Sequence, residues 1–278
     1  MCPTSSNSTA CLVLEDGTKF HGHAFGARCD EVCAEVVFQT GMVGYPQSLT
    51  DPSYHAQILV LTYPLIGNYG VPAETKDKHG IPLWFEIASN LGCRSHRWRI
   101  CEEPSHWNHN QTLSQWLVSN NIPAIAGIDT RALTKYIRTK GTIVGRIVHG
   151  SGDIPRGLFQ DPNKRNLVSE VSLKLPITYN PEGRLQICVI DCGLKYNQLR
   201  CLLSRNVRVD VVPWNHPIHP DSYDGLFLSN GPGDPCMSHE TINNLKKCLE
   251  SSFIGQQESE TNFWNLFRTS ATSNCRWL

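Results

Sequence analysis

The sequence predicts a β-rich α+β domain over residues 11–150, followed by an incomplete α/β domain over residues 185–250. Three observations carry this expectation. Short segments centred on valine, isoleucine and leucine fill the first half: "CLVLEDG", "EVVFQTG", "QILVLTYP" and "AIAGI". From 151 to 184 the composition turns to Pro, Gly, Asn and Ser with weak periodicity, which reads as a connector. Beyond it, strand, helix, strand and strand patterns alternate as they do in a parallel sheet with crossover helices.

Taken in order, residues 1–10 form a polar tail, and the first three β-rich segments follow it. Between the third and the fourth, "TLSQWLVSNN" puts Leu113, Trp116 and Leu117 on one helical face, and Asn120, Asn121 and Pro123 supply the stop. The stretch "DTRALTKYIRTKG" starts a second helix at Asp129 or Thr130. Leu133 and Ile137 share its inner face, while Lys135, Arg138 and Lys140 suit its negative end before Gly141. In the second domain "QICVID" reads as a strand, "KYNQLRCLLSRN" as a helix, and "VRVDVV" and "GLFLSN" as strands. After residue 250 the pattern fades into a divergent tail, 251–278.

Composition excludes several function classes. The 278 residues are 40 % hydrophobic and carry 25 basic against 25 acidic side chains, so no net field draws the chain to nucleic acid or an anionic membrane. No stretch approaches the roughly 18 apolar residues of a membrane span, and no leader pattern opens the chain, so a cytoplasmic location is expected. The 12 cysteines are scattered and read mostly as buried free thiols.

The loops hold the candidate chemistry. Ligands of an open parallel sheet collect outside the carboxyl ends of strands, and "SNGPGDP" sits at such an end. Gly231 and Gly233 could line a small polar ligand or an oxyanion site there, with Pro232 limiting the loop; a tight turn explains the same residues. At the matching position after the first strand, "DCGLKYNQ" offers Gly193, Lys195 and Asn197, either as polar groups near a ligand or as a plain capped connection. "GYPQSLTDPSYHAQ" adds a hydroxyl at Ser53 in a turn started by Asp51 and Pro52.

The segment 93–109, "CRSHRWRICEEPSHWNH", invites two other readings. Cys93, Cys101, His106 and His109 lack the tight cysteine pair that anchors a structural zinc site, so no metal is expected. Arg94, Arg97, Trp98 and Arg99 make too small a patch for nucleic acid in a neutral chain and read as a solvated surface loop.

Several blocks now combine: "LVLEDGTKFHGHAFG", "EVVFQTGMVGYPQSLTDPSY", "QILVLTYPLIGNYG", "PAIAGIDTRALTKYIRTKGT", "DPNKRNLV", "VIDCGLKYNQLRCLL" and "GLFLSNGPGDP". In this order they resemble the small, glutamine-hydrolysing part of carbamoyl-phosphate synthetase, over roughly residues 11–92 and 104–236. Several are most like the N-terminal region of the animal multifunctional proteins of pyrimidine synthesis. The resemblance implies a small-subunit domain that contacts the synthetase, then a flavodoxin-like class I glutamine amidotransferase domain, here incomplete. It implies glutamine as substrate and ammonia passed to a large subunit or fused synthetase domain, for pyrimidine or arginine biosynthesis. ATP, bicarbonate and Mg are expected only in that partner region, and no cofactor in this chain. By position, Ser53, Gly231 and Gly233 match the family's glutamine-contacting residues.

Two stretches depart from the family. Arginine-rich "LGCRSHRWRIC", 91–101, stands where the family has an apolar, strand-like run. After "KKCLESS" no strand-to-helix elbow of the family's G-x-C-x-G-H-Q type occurs, and no later histidine–glutamate pair. Cys275 lies three residues from the last one in the sequence, and Cys236, although His239 is near, matches no family nucleophile. The expectation is a truncated chain with no catalytic residues of its own and no glutaminase activity by itself. The alternative is a non-catalytic interaction or scaffold module that binds the synthetase region.

Overall fold

The computed structural model describes residues 9–28, 31–87, 94–97, 99–150 and 159–254. The first half contains β1 (Thr9–Leu14), β2 (Lys19–Gly26), β3 (Glu31–Gln39), the short α1 (Tyr45–Leu49), a 3-10 turn Pro52–Tyr54, β4 (Gln57–Leu61) and β5 (Leu65–Ile66). It continues through β6 (Arg94–Arg97), β7 (Arg99–Ile100), α2 (Leu113–Ser119), β8 (Pro123–Ala126), α3 (Thr130–Lys140) and β9 (Val144–His149). Among the described residues, seven of these strands close into a barrel in the order β1-β2-β8-β6-β4-β3-β9, which leaves that sheet no free edge. The β3–β4, β4–β6 and β6–β8 pairs are parallel and the remaining pairs antiparallel.

Strand β4 shows how the packing is built. Ile58 and Val60 point into a cluster with Leu12, Leu14, Ile125, Ile147 and the inner face of α3, Leu133 and Ile137. Leu59 and Leu61 point the other way, onto Leu113, Trp116 and Leu117 of α2. A strand buried on both faces has no polar face to show, so it reads as an unbroken apolar run. Helix α2 starts with a capping box in which the Thr112 hydroxyl accepts from the Gln115 N–H (3.2 Å) and the Thr112 N–H donates to Gln115 Oε1 (3.0 Å). Asp129 caps α3 by accepting from the Ala132 N–H at 2.9 Å.

The second half adds α4 (Leu167–Val171), β10 (Ile177–Tyr179), β11 (Gln186–Asp191), α5 (Tyr196–Leu203), β12 (Arg208–Pro213), β13 (Gly225–Leu228) and α6 (His239–Ile254). Its sheet runs β10-β12-β11-β13, parallel in its β12-β11-β13 core with β10 antiparallel at one edge. Leu199 and Leu203 of α5 cover one face, against Val189, Val209 and Val211. Val168 of α4 and Leu245 of α6 cover the other, against Cys188, Ile190 and Val212. The architecture is therefore mixed: a closed β-rich barrel with helices, then an α/β sheet with helices on both faces.

Two segments differ from their sequence reading. The stretch read as connector holds α4, whose Leu167 and Val168 are buried, and the edge strand β10. Both are too short for periodicity to reveal. The arginine-rich segment is not a surface loop: β6 lies between β4 and β8 in the barrel wall, with Ile58 opposite Arg94 and His96 opposite Ile125, and β7 pairs with β5. Backbone pairing with apolar neighbours on either side sets that strand, whatever its side-chain types suggest.

Candidate functional site

The candidate residues meet where the carboxyl ends of β11 and β13 face the Pro52–Tyr54 turn of the first domain. Asp191 closes β11, and its Oδ1 accepts from the N–H groups of Gly193 (2.9 Å) and Leu194 (2.7 Å) while Oδ2 accepts from Leu173 (2.8 Å). Ser229, just past β13, ties the neighbouring loop to it: its hydroxyl accepts from the Cys192 N–H at 2.9 Å and donates to the Asn230 carbonyl at 2.8 Å.

The glycines let these loops touch. A Cβ on Gly231 would stand 2.0 Å from the Cys192 carbonyl oxygen, and one on Gly193 would stand 3.0 Å from the Gly231 Cα. Gly233 has φ +77°, in the left-handed region, and Leu167 of α4 lies 3.2 Å from the place of its Cβ. Loop-to-loop contact thus demands glycine at 231 before any ligand is considered. Among the described residues, the N–H groups of Gly231 and Gly233 meet no protein acceptor, and Gly231 is exposed. They remain available as donors to an anionic or carbonyl oxygen.

The first domain brings three polar residues to the same place. Asp51 caps the 3-10 turn, its Oδ1 accepting from the Ser53 N–H at 2.9 Å, and its Oδ2 lies 2.6 Å from Lys195 Nζ at the start of α5. The Ser53 hydroxyl accepts a hydrogen bond from Asn230 Nδ2, next to Gly231. Glu86 serves the start of α5: its carbonyl accepts from the Tyr196 N–H (3.0 Å), Oε2 from the Asn197 N–H (2.8 Å), and Oε1 lies 3.5 Å from Arg200. A carboxylate at that end also meets the positive pole of the helix. Nearby, His55 Nε2 lies 2.7 Å from Glu170 of α4, which also pairs with Arg165 at 2.9 Å. A cavity of about 190 Å3 adjoins the contact, lined by Pro52, Leu173, Tyr179, Asp191, Gly193 and Leu194 among others.

Ser53 and the 230–233 loop, 177 residues apart at their hydrogen bond, are therefore brought together. Lys195 and Asn197 do act at the helix start, one through its ammonium and the other through its backbone N–H. Asp51, Glu86 and Asn230 carry no sequence signal as site residues. Asn230 could have been found only as the polar residue just before the glycines.

Two buried thiols, Cys188 and Cys192, lie on or just past β11 beside the loop contact. Burial pushes Cys192 up to about 12, with the Asp191 charge adding to it, and burial pushes Cys188 up to about 11 against a hydrogen bond with Tyr223. Both stay protonated near neutral pH. Cys236 is exposed on the 3-10 turn Pro235–Met237, where its N–H donates to Asp234 at 2.8 Å, and it is not at a strand-to-helix elbow. Cys275 lies outside the described residues. So do Cys93 and Trp98, and no group of three or more His, Cys, Asp or Glu able to hold a metal occurs among the described ones.

Comparison with known proteins follows the same division of the chain. Residues 12–147 match the carbamoyl-phosphate synthase small chain, CPSase domain, and residues 188–255 match glutamine amidotransferase class-I. The chain is 52 % identical over 240 residues to the multifunctional protein CAD of Squalus acanthias, covering 86 % of this chain and 11 % of that protein. It is 44 % identical over 257 residues to the carbamoyl phosphate synthase arginine-specific small chain of Chaetomium globosum, covering 90 % of this chain and 55 % of the relative. The multifunctional protein pyr1-3 of Dictyostelium discoideum is 44 % identical over 259 residues, with 86 % and 11 % covered. The chain thus spans about a tenth of the multifunctional relatives and just over half of the small chain. By these matches residues 12–147 belong to the carbamoyl-phosphate synthase small-chain family and residues 188–255 to the class-I glutamine amidotransferases.

Proposed function

We propose that this chain is the glutamine-binding portion of a glutamine-hydrolysing carbamoyl-phosphate synthase. The parent activity supplies ammonia for carbamoyl phosphate in pyrimidine or arginine biosynthesis. The observation that supports the reading best is the meeting of Ser53 with the Asn230–Gly233 loop, which sets a hydroxyl and two backbone donors around one strand end. Ser53, Gly231 and Gly233 are the residues proposed to contact glutamine, whose carboxylate and amide carbonyl both call for hydrogen-bond donors.

The chain by itself is proposed to hydrolyse no glutamine. Glutaminase chemistry of this class needs a thiolate poised to attack the amide and a base to move protons. Cys188 and Cys192 are held as thiols, and Cys236 has no elbow to present it. In this reading the synthetase partner, a large subunit or a fused region, binds ATP, bicarbonate and Mg, and the location is cytoplasmic. No helix among the described residues is long and apolar enough to cross a membrane. The closed barrel, whose register does not depend on the second sheet, favours a second role as a non-catalytic module that docks on the synthetase.

The test is to titrate L-glutamine into the purified chain by calorimetry and to follow ammonia release in parallel. Saturable binding without ammonia is expected. Steady ammonia release would refute the loss of activity, and absence of binding would refute the assigned contacts.

A further inference from the structure

We infer that Asn230 is a positioning residue that turns the Ser53 hydroxyl into a dedicated donor toward the ligand, across the junction of the two domains. The inference rests on the proposed glutamine contact of Ser53 and goes beyond it by naming what orients that contact. A serine hydroxyl has one proton to donate and two lone pairs to accept with. Asn230 Nδ2 occupies an accepting position, and the Ser53 proton has no acceptor among the described residues. The proton is thus directed to a ligand, and the group it suits is an acceptor oxygen, a carboxylate or an amide carbonyl.

The geometry on both sides of this contact is fixed. Asn230 follows Ser229, whose hydroxyl bonds hold its loop to the loop after β11. Gly231 then packs on the Cys192 carbonyl, so the asparagine has little freedom to swing. Ser53 sits in a turn whose first N–H is held by Asp51, and Asp51 in turn is gripped by Lys195 at 2.6 Å. Two second-domain loops therefore hold one first-domain turn, Lys195 through its cap and Asn230 through its hydroxyl. A hydrogen-bonded chain of this kind, Asn230 to Ser53 to ligand, makes the donor stronger as well as better aimed.

The experiment is a double-mutant cycle with Ser53→Ala, Asn230→Ala and the pair, read two ways. Calorimetric titration of L-glutamine is expected to show each single variant weakened about tenfold or more, and the pair weakened no further than Ser53→Ala alone. Losses that simply add would overturn the inference, because a residue acting independently of Ser53 would still matter after the serine is gone. Asn230→Asp keeps the side chain's size but offers an acceptor where the amide donated, and it is expected to lose binding like Asn230→Ala without a comparable change in melting. Binding by Asn230→Asp equal to that of the unaltered chain would also overturn the inference.

Urea unfolding of the same four proteins without glutamine reads the contact separately. A coupling between the two positions is expected there, and its absence refutes the contact itself, whatever glutamine does. If the coupling is present but the unaltered chain takes up no glutamine, the binding assignment of Ser53 fails. The positioning role then falls with it, and the contact survives only as a latch between domains.

Discussion

Gly231→Ala separates the two demands that meet at the glycine loop. Gly231 does not lie in the left-handed region, so alanine there meets no conformational penalty of the kind expected at Gly233. The new methyl would instead stand 2.0 Å from the Cys192 carbonyl oxygen, 2.9 Å from its carbon and 3.3 Å from the Cys192 Cβ. An ordinary carbon–oxygen contact needs about 3.3 Å or more, so the loops after β11 and β13 must part by roughly 1 Å. The obstacle is backbone, which cannot swing aside as a flexible side chain would. Ser229 resists the parting through its bond to the Cys192 N–H. Forcing one extra methyl into such a contact costs about 1–3 kcal/mol. For a protein of this size that corresponds to a fall in Tm of roughly 2–12 °C. Scanning calorimetry or thermal circular dichroism of the glutamine-free chain reads it directly. An unchanged Tm would refute the argument that loop contact requires this glycine. If such a variant also lost glutamine binding, ligand approach alone would account for the residue.

Three other outcomes follow from groups at the domain junction and from the thiols. Glu86→Ala removes the carboxylate that serves the Asn197 N–H and Arg200, and the chain is expected to lose about 1–3 kcal/mol in urea unfolding, with faster hydrogen exchange at Asn197. An unmoved urea midpoint would show that α5 needs no such cap. Iodoacetamide at neutral pH is expected to modify Cys201 and Cys236, which are exposed, and to reach Cys188 and Cys192 only on unfolding, as read by peptide mass spectrometry. The same buried thiols predict the direction of alkaline loss of stability. In the unfolded chain they ionise from about pH 9 upward, while the folded chain keeps its protons until about 11 and 12. Between those limits the unfolded state binds fewer protons, so stability is full below pH 9 and falls as pH rises. Stability that increased over that range would contradict the assignment.

What could be read from the sequence depended on whether an element carried its own pattern. Leu113, Trp116 and Leu117 announce α2 because they recur at helical spacing, and β11 and β12 stand out as apolar runs because both faces are covered. Strand β2, "KFHGHAFG", could not be read in this way. Its exposed face carries Lys19, His21 and His23, and Gly22 and Gly26 look like turn residues. In β9 the buried Arg146 and Gly145 interrupt an otherwise apolar strand. Strand β6 is set by its neighbours in the barrel, information that no window of its own residues contains. The glycine loop's place at a strand end was legible because the fold class alone puts loops there. Its closest neighbour was not, since the Cys192 carbonyl that excludes a side chain at 231 belongs to another strand's loop.

The distribution of charge across the junction explains why the candidate site draws on both domains. The first domain supplies the carboxylates Asp51 and Glu86, whose side chains are 8 % and 10 % exposed. The second supplies Lys195, Arg200 and the N–H groups at the start of α5. The carboxylates are the buried members of these pairs, while Lys195 and Arg200 keep 35 % and 22 % exposure, so solvent screens part of each attraction. The Lys195 contact that neutralises Asp51 also holds the residue that caps the turn carrying Ser53. Asn230 extends the same logic from charge to hydrogen bonding. Under the proposed glutamine contact of Ser53, the ligand would meet a donor aimed by the second domain on a backbone held by the first, and its affinity would report on the junction as much as on the pocket.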